Sequence, residues 1–169
     1  MIDDPERLHA VDRTGLIGTD VDPELMRLAR DARHTLDVPT VCLTLLDGER
    51  QHFVAAEGLS SSLEEARSTP MSHAFCFYTV GRGRPMIVPD AREHEDLRDN
   101  PAIVEHECIA YVGVPVTTVE GQTVGAFCAT DVIPRFWSRG QVDMLRDLAD
   151  RAGARIDTRA ATGEANHAG

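Results

Sequence analysis

Apolar residues recur along the chain with two different spacings, and these spacings separate helices from strands. Apolar positions three or four residues apart run through residues 22–38 and again through residues 138–156, which predicts an amphipathic helix in each segment. Asp22 stands where a capping residue accepts hydrogen bonds from the first turn of the first helix. Ser138 and Gln141 form a capping-box pattern at the start of the second helix.

Runs of apolar residues predict five strands between these two helices. They cover residues 41–46, 51–56, 85–88, 108–117 and 122–130. Turn signals at Asp47 and Gly48, and at Glu120 and Gly121, join the first two and the last two of these segments into hairpins. A hairpin pairs its strands antiparallel, and helices flank both hairpins, so the order of elements predicts an α+β layered domain.

The stretch over residues 60–107 connects the two hairpins and is too long for an ordinary loop. It begins with small polar residues, continues with a predicted helix over residues 71–80, and becomes acidic after residue 89. Connections of this length usually act as lids or as loops that cover a ligand. We therefore expect this middle segment to cover a binding site.

The motifs along the chain, taken in order, resemble those of the GAF domain family, whose members are sensory modules related to PAS domains. The matching stretches are residues 14–39, 43–47, 50–59, 72–76, 85–91, 100–101, 111–116, 125–131 and 134–135. The resemblance implies a central twisted antiparallel sheet of five to six strands with the terminal helices on one face. It also implies that loops and short helices cover a pocket on the other face, and that the domain has a regulatory role in signal transduction.

The same resemblance suggests how the chain is organised and with what it associates. We expect an N-terminal extension over residues 1–19, a GAF-type sensor domain over residues 20–157 and a flexible tail over residues 158–169. No output domain accompanies the sensor in this sequence, so we expect a free-standing module that acts through a homodimer or a signalling protein partner. The expected ligand is a small molecule of unknown identity, and the sequence indicates no particular cofactor.

One departure from the family pattern bears on the ligand. Many relatives carry a bulky or basic residue just before the tyrosine that corresponds to Tyr111, whereas this chain has Ile109 and Ala110 there. The departure predicts a smaller and less polar pocket wall, and it weakens the case for an anionic ligand.

Composition excludes several classes of function. The 17 basic residues are all arginine, and 28 acidic residues bring the net charge to -11. Without lysine there is no Schiff base and no lysine that binds nucleotide phosphates. An acidic surface repels nucleic acid and anionic membranes, so neither is an expected partner. No apolar run approaches the length of a membrane span or a signal peptide, and we expect a cytoplasmic protein.

The resemblance and the predicted strands together suggest which side chains bind the ligand. The expected ligand-binding residues are Phe75, Cys76, Val88, Asp90, Tyr111, Phe127, Cys128 and Thr130. Which of the alternating strand residues faces the pocket stays open, because both faces of the sheet are expected to be covered.

A thiol-based redox enzyme or redox sensor, similar to a methionine sulfoxide reductase, is the alternative hypothesis. His73 precedes Cys76 by three residues, so on one helix the two side chains would share a face, and the imidazole would promote thiolate formation. Cys108 and Cys128 fall on adjacent predicted strands, where a disulfide would be possible. We favour the simpler interpretation of Cys76 as a buried apolar side chain, and hence a protein without catalytic residues.

Histidines and cysteines of the middle segment raise one more hypothesis, a metal centre. The candidates are His73, Cys76, His94, His106 and Cys108. Their spacing matches no standard zinc signature, and His94 and His106 lie among carboxylates that are typical of a solvated loop. The sequence therefore predicts no metal site.

Overall fold

A computed structural model describes residues 1–163 of the chain, and residues 164–169 lie outside the described part. Six antiparallel strands form one sheet in the spatial order β3-β2-β1-β6-β5-β4. The strands are β1 (Thr40–Leu46), β2 (Arg50–Glu57), β3 (Ser68–Pro70), β4 (Met86–Val88), β5 (Ala110–Thr117) and β6 (Thr123–Asp131). The expected antiparallel α+β architecture with five to six strands is confirmed.

Helices occupy both ends of the chain and the connection between the hairpins. They are α1 (Pro5–Arg13), α2 (Pro23–Leu36), α3 (Ser61–Ala66), α4 (Cys76–Arg82), α5 (Ala102–Glu105) and α6 (Arg139–Thr162). Short 3-10 turns at Met71–His73 and Ala91–Glu93 complete the connection. No helix within residues 1–163 is both long and apolar enough to cross a membrane.

The two long helices begin where the sequence predicts. The Asp22 carboxylate accepts hydrogen bonds from the backbone N–H groups of Glu24 and Leu25, and so caps α2. Ser138 and Gln141 form the complete capping box at the start of α6. The last helix continues past residue 158, where the sequence predicts a tail, and ends at Thr162.

Side chains of the sheet alternate between two apolar layers, as the two-residue period of a strand requires. On β1, Val41, Leu43 and Leu45 pack against α1, α2 and α6. Cys42 and Leu46 point the other way, into a second cluster that contains α4 and the middle segment. The terminal helices therefore cover one face, and the connection between the hairpins covers the opposite face.

Buried charged groups fix the terminal helices in place. The Arg7 guanidinium, which is almost fully buried, donates to the backbone oxygens of Ile2 at 2.8 Å and Leu46 at 2.7 Å. Burial lowers the pKa of Arg7. On the same face, Asp22 accepts hydrogen bonds from Arg155 at 2.9 Å and Arg159 at 2.8 Å. These contacts tie α1 to the sheet and α2 to α6.

The middle segment departs from the predicted single helix over residues 71–80. A 3-10 turn ends at His73, Ala74 is extended with φ -90° and ψ 105°, and α4 begins at Cys76. Ala74 and Phe75 are buried, so packing against the sheet stabilises the break. The continuous apolar pattern of this stretch contains no signal for that break.

Candidate functional site

A cavity of about 630 Å³ lies between the sheet and the middle segment. Its floor consists of side chains that point away from the terminal helices. They are Cys42 and Thr44 of β1, Gln51 and Phe53 of β2, Tyr111 of β5, and Cys128 and Thr130 of β6. Because these strands are adjacent in the sheet, their alternate residues form one continuous surface.

The wall and the mouth of the cavity come from the connection between the hairpins. Phe75 and Cys76, at the start of α4, are buried against the sheet. His73 lies at the mouth, opposite Glu105 and His106 at the end of α5. The remaining side is lined by residues 58–60, by Ser62 and Leu63, and by Val132. The long connection therefore covers the site, as its length suggests.

Tyr111 crosses the floor of the cavity and is fixed by hydrogen bonds. Its hydroxyl donates to Cys76 Sγ at 3.3 Å and lies 2.8 Å from Thr79 Oγ1. The phenol ring packs edge-on against Phe75, with ring centroids 5.5 Å apart. Burial raises the pKa of Tyr111, and the nearby thiols raise it further. The tyrosine therefore stays protonated at neutral pH and acts as a hydrogen-bonding group.

Gly113 gives the Tyr111 ring the room it needs. Both residues lie on the cavity side of β5, and a Cβ atom at position 113 would stand 2.0 Å from the Tyr111 hydroxyl oxygen. A side chain at this position would therefore displace the ring. Glycine at 113 and tyrosine at 111 form one structural unit of the cavity floor.

Three of the four cysteines meet at the floor, although they are far apart in the sequence. Cys76 Sγ donates to Cys128 Sγ at 3.8 Å, and Cys128 lies directly opposite Cys42 in the pairing of β1 and β6. All four cysteines of the chain are free thiols. The hydrogen bond to Cys128, together with burial, raises the pKa of Cys76 well above its ordinary value. The pKa of Cys128 is also raised well above its ordinary value. The hydrogen bond with Cys42 is the largest cause, and burial adds to it.

The structure places five of the eight expected ligand-binding residues in the cavity lining. They are Phe75, Cys76, Tyr111, Cys128 and Thr130. Phe127 does not join them, because neighbouring residues of a strand point to opposite faces and Phe127 packs against the terminal helices. Val88 is buried beside the cavity without lining it.

Asp90 stays outside the cavity for a local reason. Its carboxylate accepts hydrogen bonds from the backbone N–H of Arg92 at 3.0 Å and from the Arg92 side chain at 2.9 and 2.8 Å. The hydrogen bonds from Arg92 hold the pKa of Asp90 below its ordinary value. Asp131 likewise forms an ion pair with Arg135 at 3.1 Å. Both aspartates fix loops at strand ends, and Asp90, an expected ligand-binding residue, does not line the cavity.

The structure does not show the pairing of His73 with Cys76 that the alternative redox hypothesis requires. The extended backbone at Ala74 separates the two side chains, and His73 Nε2 instead lies 2.7 Å from Glu105 Oε2. Cys108 also differs from the prediction, because it precedes β5 rather than lying on it. Burial raises the pKa of Cys108 to about 12. The contacts around Cys76 and Cys108 therefore favour protonated thiols.

The sequence does not indicate that several of the cavity residues belong to the site. Thr44, Gln51, Thr69 and Glu105 line the cavity, yet each belongs to a type that is common on solvated strands and loops. Thr44 and Thr69 are buried, and Gln51 donates to Thr69 at 3.2 Å. Alternation along β1 and β2 would have indicated Thr44 and Gln51 only if the face of the cavity were already known.

Charge distinguishes the cavity from the rest of the molecule. Of the described residues, those that line it include no arginine, although the chain contains 17. The carboxylates of Glu105 and Glu107 lie at its mouth, and His73 and His106 are its titratable nitrogen groups. The interior of the cavity is therefore lined by apolar groups and several hydroxyl groups, and its entrance carries negative charge.

Comparisons with known proteins agree with this architecture. The model of the GAF domain family matches residues 20–156. A curated cyclic di-GMP phosphodiesterase of Pseudomonas aeruginosa is 33% identical over 159 residues, which cover 92% of this chain and 26% of that protein. The chain thus spans about a quarter of the length of this relative.

Solved structures share the fold at low sequence identity. The GAF domain of a phosphoenolpyruvate-protein phosphotransferase from Coxiella burnetii superposes with a TM-score of 0.72 at 17% identity, covering 94% of this chain and 95% of that one. A free methionine-R-sulfoxide reductase from Neisseria meningitidis superposes with a TM-score of 0.65 at 17% identity, covering 92% and 90%. At these identities the likeness concerns the fold alone.

Proposed function

Since the chain belongs to the GAF domain family, we propose that it is a sensory domain whose cavity binds a small, uncharged or cationic organic molecule. The observation that carries this proposal is the cavity itself. Its volume of about 630 Å³ falls within the roughly 300–1,000 Å³ of sites for small organic ligands. Apolar walls with a few hydroxyl and amide groups are typical of such sites.

The polar groups of the cavity suggest what the ligand presents. Thr44, Gln51 and Tyr111 lie at its floor, and each is buried. Their hydroxyl and amide groups can orient a ligand through one or two hydrogen bonds, while Phe53 and Phe75 contact its apolar part. A compact molecule with an aromatic or aliphatic body and a few polar atoms fits this lining.

The charge of the lining argues against a phosphorylated ligand. Proteins bind phosphate groups mainly with arginine, lysine or the N-terminus of a helix. No arginine contributes to the lining within residues 1–163, and Glu105 and Glu107 would repel an anion at the mouth. We therefore do not propose cyclic di-GMP, the molecule named for the Pseudomonas relative, as the ligand of this cavity.

Ligand binding fits this structure better than thiol catalysis. A nucleophilic cysteine needs a nearby cation or base that favours the thiolate. Cys76 has neither of these among its contacts, because its neighbours are the thiol of Cys128 and the hydroxyl of Tyr111. The shared fold with the Neisseria sulfoxide reductase does not supply the missing group.

The output of the sensor is proposed to pass by protein contact, either to a second copy or to a signalling partner. Homodimerisation through the terminal helices remains a prediction. Exposed large apolar side chains on α6 would have supported it. Within residues 1–163, however, the exposed large apolar side chains lie outside α6, as Ile133 and Phe136 do in the loop before it.

Native mass spectrometry after incubation with a small-molecule cell extract tests the proposal. We expect the wild-type chain to retain one molecule of a few hundred daltons that separates on denaturation. Thr130→Phe places a bulky side chain in the cavity lining and should remove this adduct, whereas Thr117→Phe, at an exposed position at the end of β5, should keep it. A wild-type chain without an adduct, or an adduct that persists in Thr130→Phe, contradicts the proposal.

A further inference from the structure

Three side chains that can each donate a lone pair to a metal ion meet at the mouth of the cavity. His73 ends a 3-10 turn, Glu105 is the last residue of α5, and His106 follows it. One donor atom from each lies within 4.8 Å of the other two. We propose that His73, Glu105 and His106 bind a first-row divalent transition metal ion, with zinc as the best match.

The donor set matches the chemistry of such ions. Two imidazoles and one carboxylate hold zinc in open sites and iron in non-haem sites. Zinc binds these donors at about 2.0–2.2 Å, which separates the donors of a tetrahedral site by about 3.4 Å. His73 Nε2 and Glu105 Oε2 are 2.7 Å apart, and the third donor lies within 4.8 Å. Small side-chain rotations therefore bring all three donors to bonding distance of one ion.

The hydrogen bonds of His73 favour this role. At 2.7 Å, Nε2 and the carboxylate oxygen of Glu105 need a proton or a metal ion shared between them. Nδ1 lies 3.0 Å from Ser72 Oγ. A metal-bound histidine usually donates its other ring N–H to such a partner, which orients the ring and leaves the first nitrogen free to coordinate. Ser72 occupies the place of that partner.

The surroundings favour a cation and leave it open to the cavity. Glu107 adds a second carboxylate at the mouth, and the chain carries a net charge of -11. All three proposed ligands line the cavity. With three protein ligands, a tetrahedral ion keeps one position for water or for a donor atom of a molecule in the cavity.

The proposed metal site differs from the prediction made from spacing, and the reason is visible in the fold. Glu105 and His106 follow His73 in the sequence by more than thirty residues. Glu105 is also one of many carboxylates in an acidic segment, so the sequence does not distinguish it as a metal ligand. Only the packing of α5 against the 3-10 turn brings them together. The site would bind its ion whether or not the cavity also holds an organic ligand.

A competitive zinc titration tests this proposal. The full chain is freed of metal with EDTA, desalted, and titrated with Zn²⁺ against a fluorescent zinc chelator. We expect one equivalent of zinc to bind, and we expect Glu105→Gln and His106→Gln each to weaken binding by at least about tenfold. His34→Gln is the matched control, because His34 is exposed on α2 and lies on the opposite face of the sheet.

Thermal unfolding supplies a second measurement on the same proteins. Zinc should raise the unfolding temperature of the wild-type chain and of His34→Gln, and should raise it much less in the two ligand variants, because an ion that binds only the folded state stabilises it. Wild-type protein that binds no stoichiometric zinc would overturn the proposal. So would unchanged affinity in both ligand variants, which would leave His73 and Glu105 as a hydrogen-bonded tie between two segments.

Discussion

At the scale of single residues, Cys76, Cys108 and Cys128 in the cavity are held in their protonated form by their surroundings. Cys76 and Cys128 contact another thiol rather than a base, and both are buried. Cys108 is half-buried, and its pKa is raised to about 12. A raised pKa means that almost no thiolate exists at neutral pH, so the folded chain is expected to be a poor thiol reagent.

Reaction with Ellman's reagent at pH 8 measures this property. We expect Cys76, Cys108 and Cys128 of the folded chain to react about a hundredfold more slowly than free cysteine, since a lower thiolate fraction is only partly offset by greater intrinsic nucleophilicity. In guanidinium chloride all four should react at the ordinary rate. A single fast thiol in the folded protein would restore the redox hypothesis for this cavity.

Gly113 is a second residue whose identity is fixed by a neighbour. Gly113→Ala places a methyl group against the Tyr111 hydroxyl, and we expect the crowding to cost about 1–3 kcal/mol of unfolding free energy. Gly81→Ala is the matched control, because a Cβ at this position of α4 meets nothing within 4 Å. Urea unfolding should show a loss for the first variant and none for the second. Equal stabilities would mean that the Tyr111 ring is not fixed as described.

At the scale of elements, a predicted cavity residue on a strand lines the cavity only if its side chain points to the cavity face of the sheet. The alternation of apolar residues predicts a sheet covered on both sides, but it does not say which side carries the cavity. Phe127 and Cys128 are adjacent and both buried, and only the positions of the terminal helices assign Phe127 to the core. The sequence likewise does not predict the break in the helix at Ala74, because tertiary packing rather than local preference stabilises this break.

The contact between α2 and α6 includes one buried carboxylate, Asp22, which accepts hydrogen bonds from two arginines of α6. Burial alone would raise the pKa of Asp22, but hydrogen bonds from Arg155, the Leu25 N–H and Arg159 outweigh it, so the pKa lies below its ordinary value. A carboxylate with a lowered pKa in the folded state stabilises that state fully above its unfolded pKa of about 3.9. This stabilisation is lost as the pH falls through the folded pKa.

Asp22→Asn tests this contact while keeping a residue that can cap a helix. We expect the variant to lose about 2 kcal/mol of unfolding free energy near pH 7, because two arginines lose a buried partner. The difference from wild type should shrink as the pH falls below about 4. Glu24→Gln is the control, since Glu24 also contacts Arg155 but is exposed, and such pairs contribute less than about 1 kcal/mol. Equal losses in the two variants would contradict the assignment.

At the scale of the whole molecule, the sequence predicts the architecture far better than the site. The order of caps, strands and turns is local information, and it is sufficient for an antiparallel sheet with helices at both ends of the chain. The cavity, by contrast, combines side chains from five strands and from distant parts of the long connection. Neither the grouping of His73 with Glu105 nor the meeting of Cys42, Cys76 and Cys128 follows from spacing along the chain.

The distribution of charge is also a property of the whole molecule. Arginines are abundant in the chain, yet those of the described part contribute nothing to the cavity lining, and several of them form ion pairs on the surface or between helices. We therefore propose that the inside of the cavity binds uncharged molecules and that its mouth favours cations over anions. This selectivity by charge is the central claim about function.

A matched pair of fluorescent probes tests that claim most directly. N-phenyl-1-naphthylamine is uncharged, and 1-anilinonaphthalene-8-sulfonate carries a sulfonate on the same aromatic body. In the presence of EDTA, we predict that the wild-type chain and Thr117→Phe bind one molecule of the uncharged probe at least about tenfold more tightly than the sulfonate, because repulsion of about 1.4 kcal/mol suffices for that ratio. Thr130→Phe should bind neither probe in the cavity. Equal or tighter binding of the sulfonate, or unchanged binding of the uncharged probe by Thr130→Phe, would contradict the account.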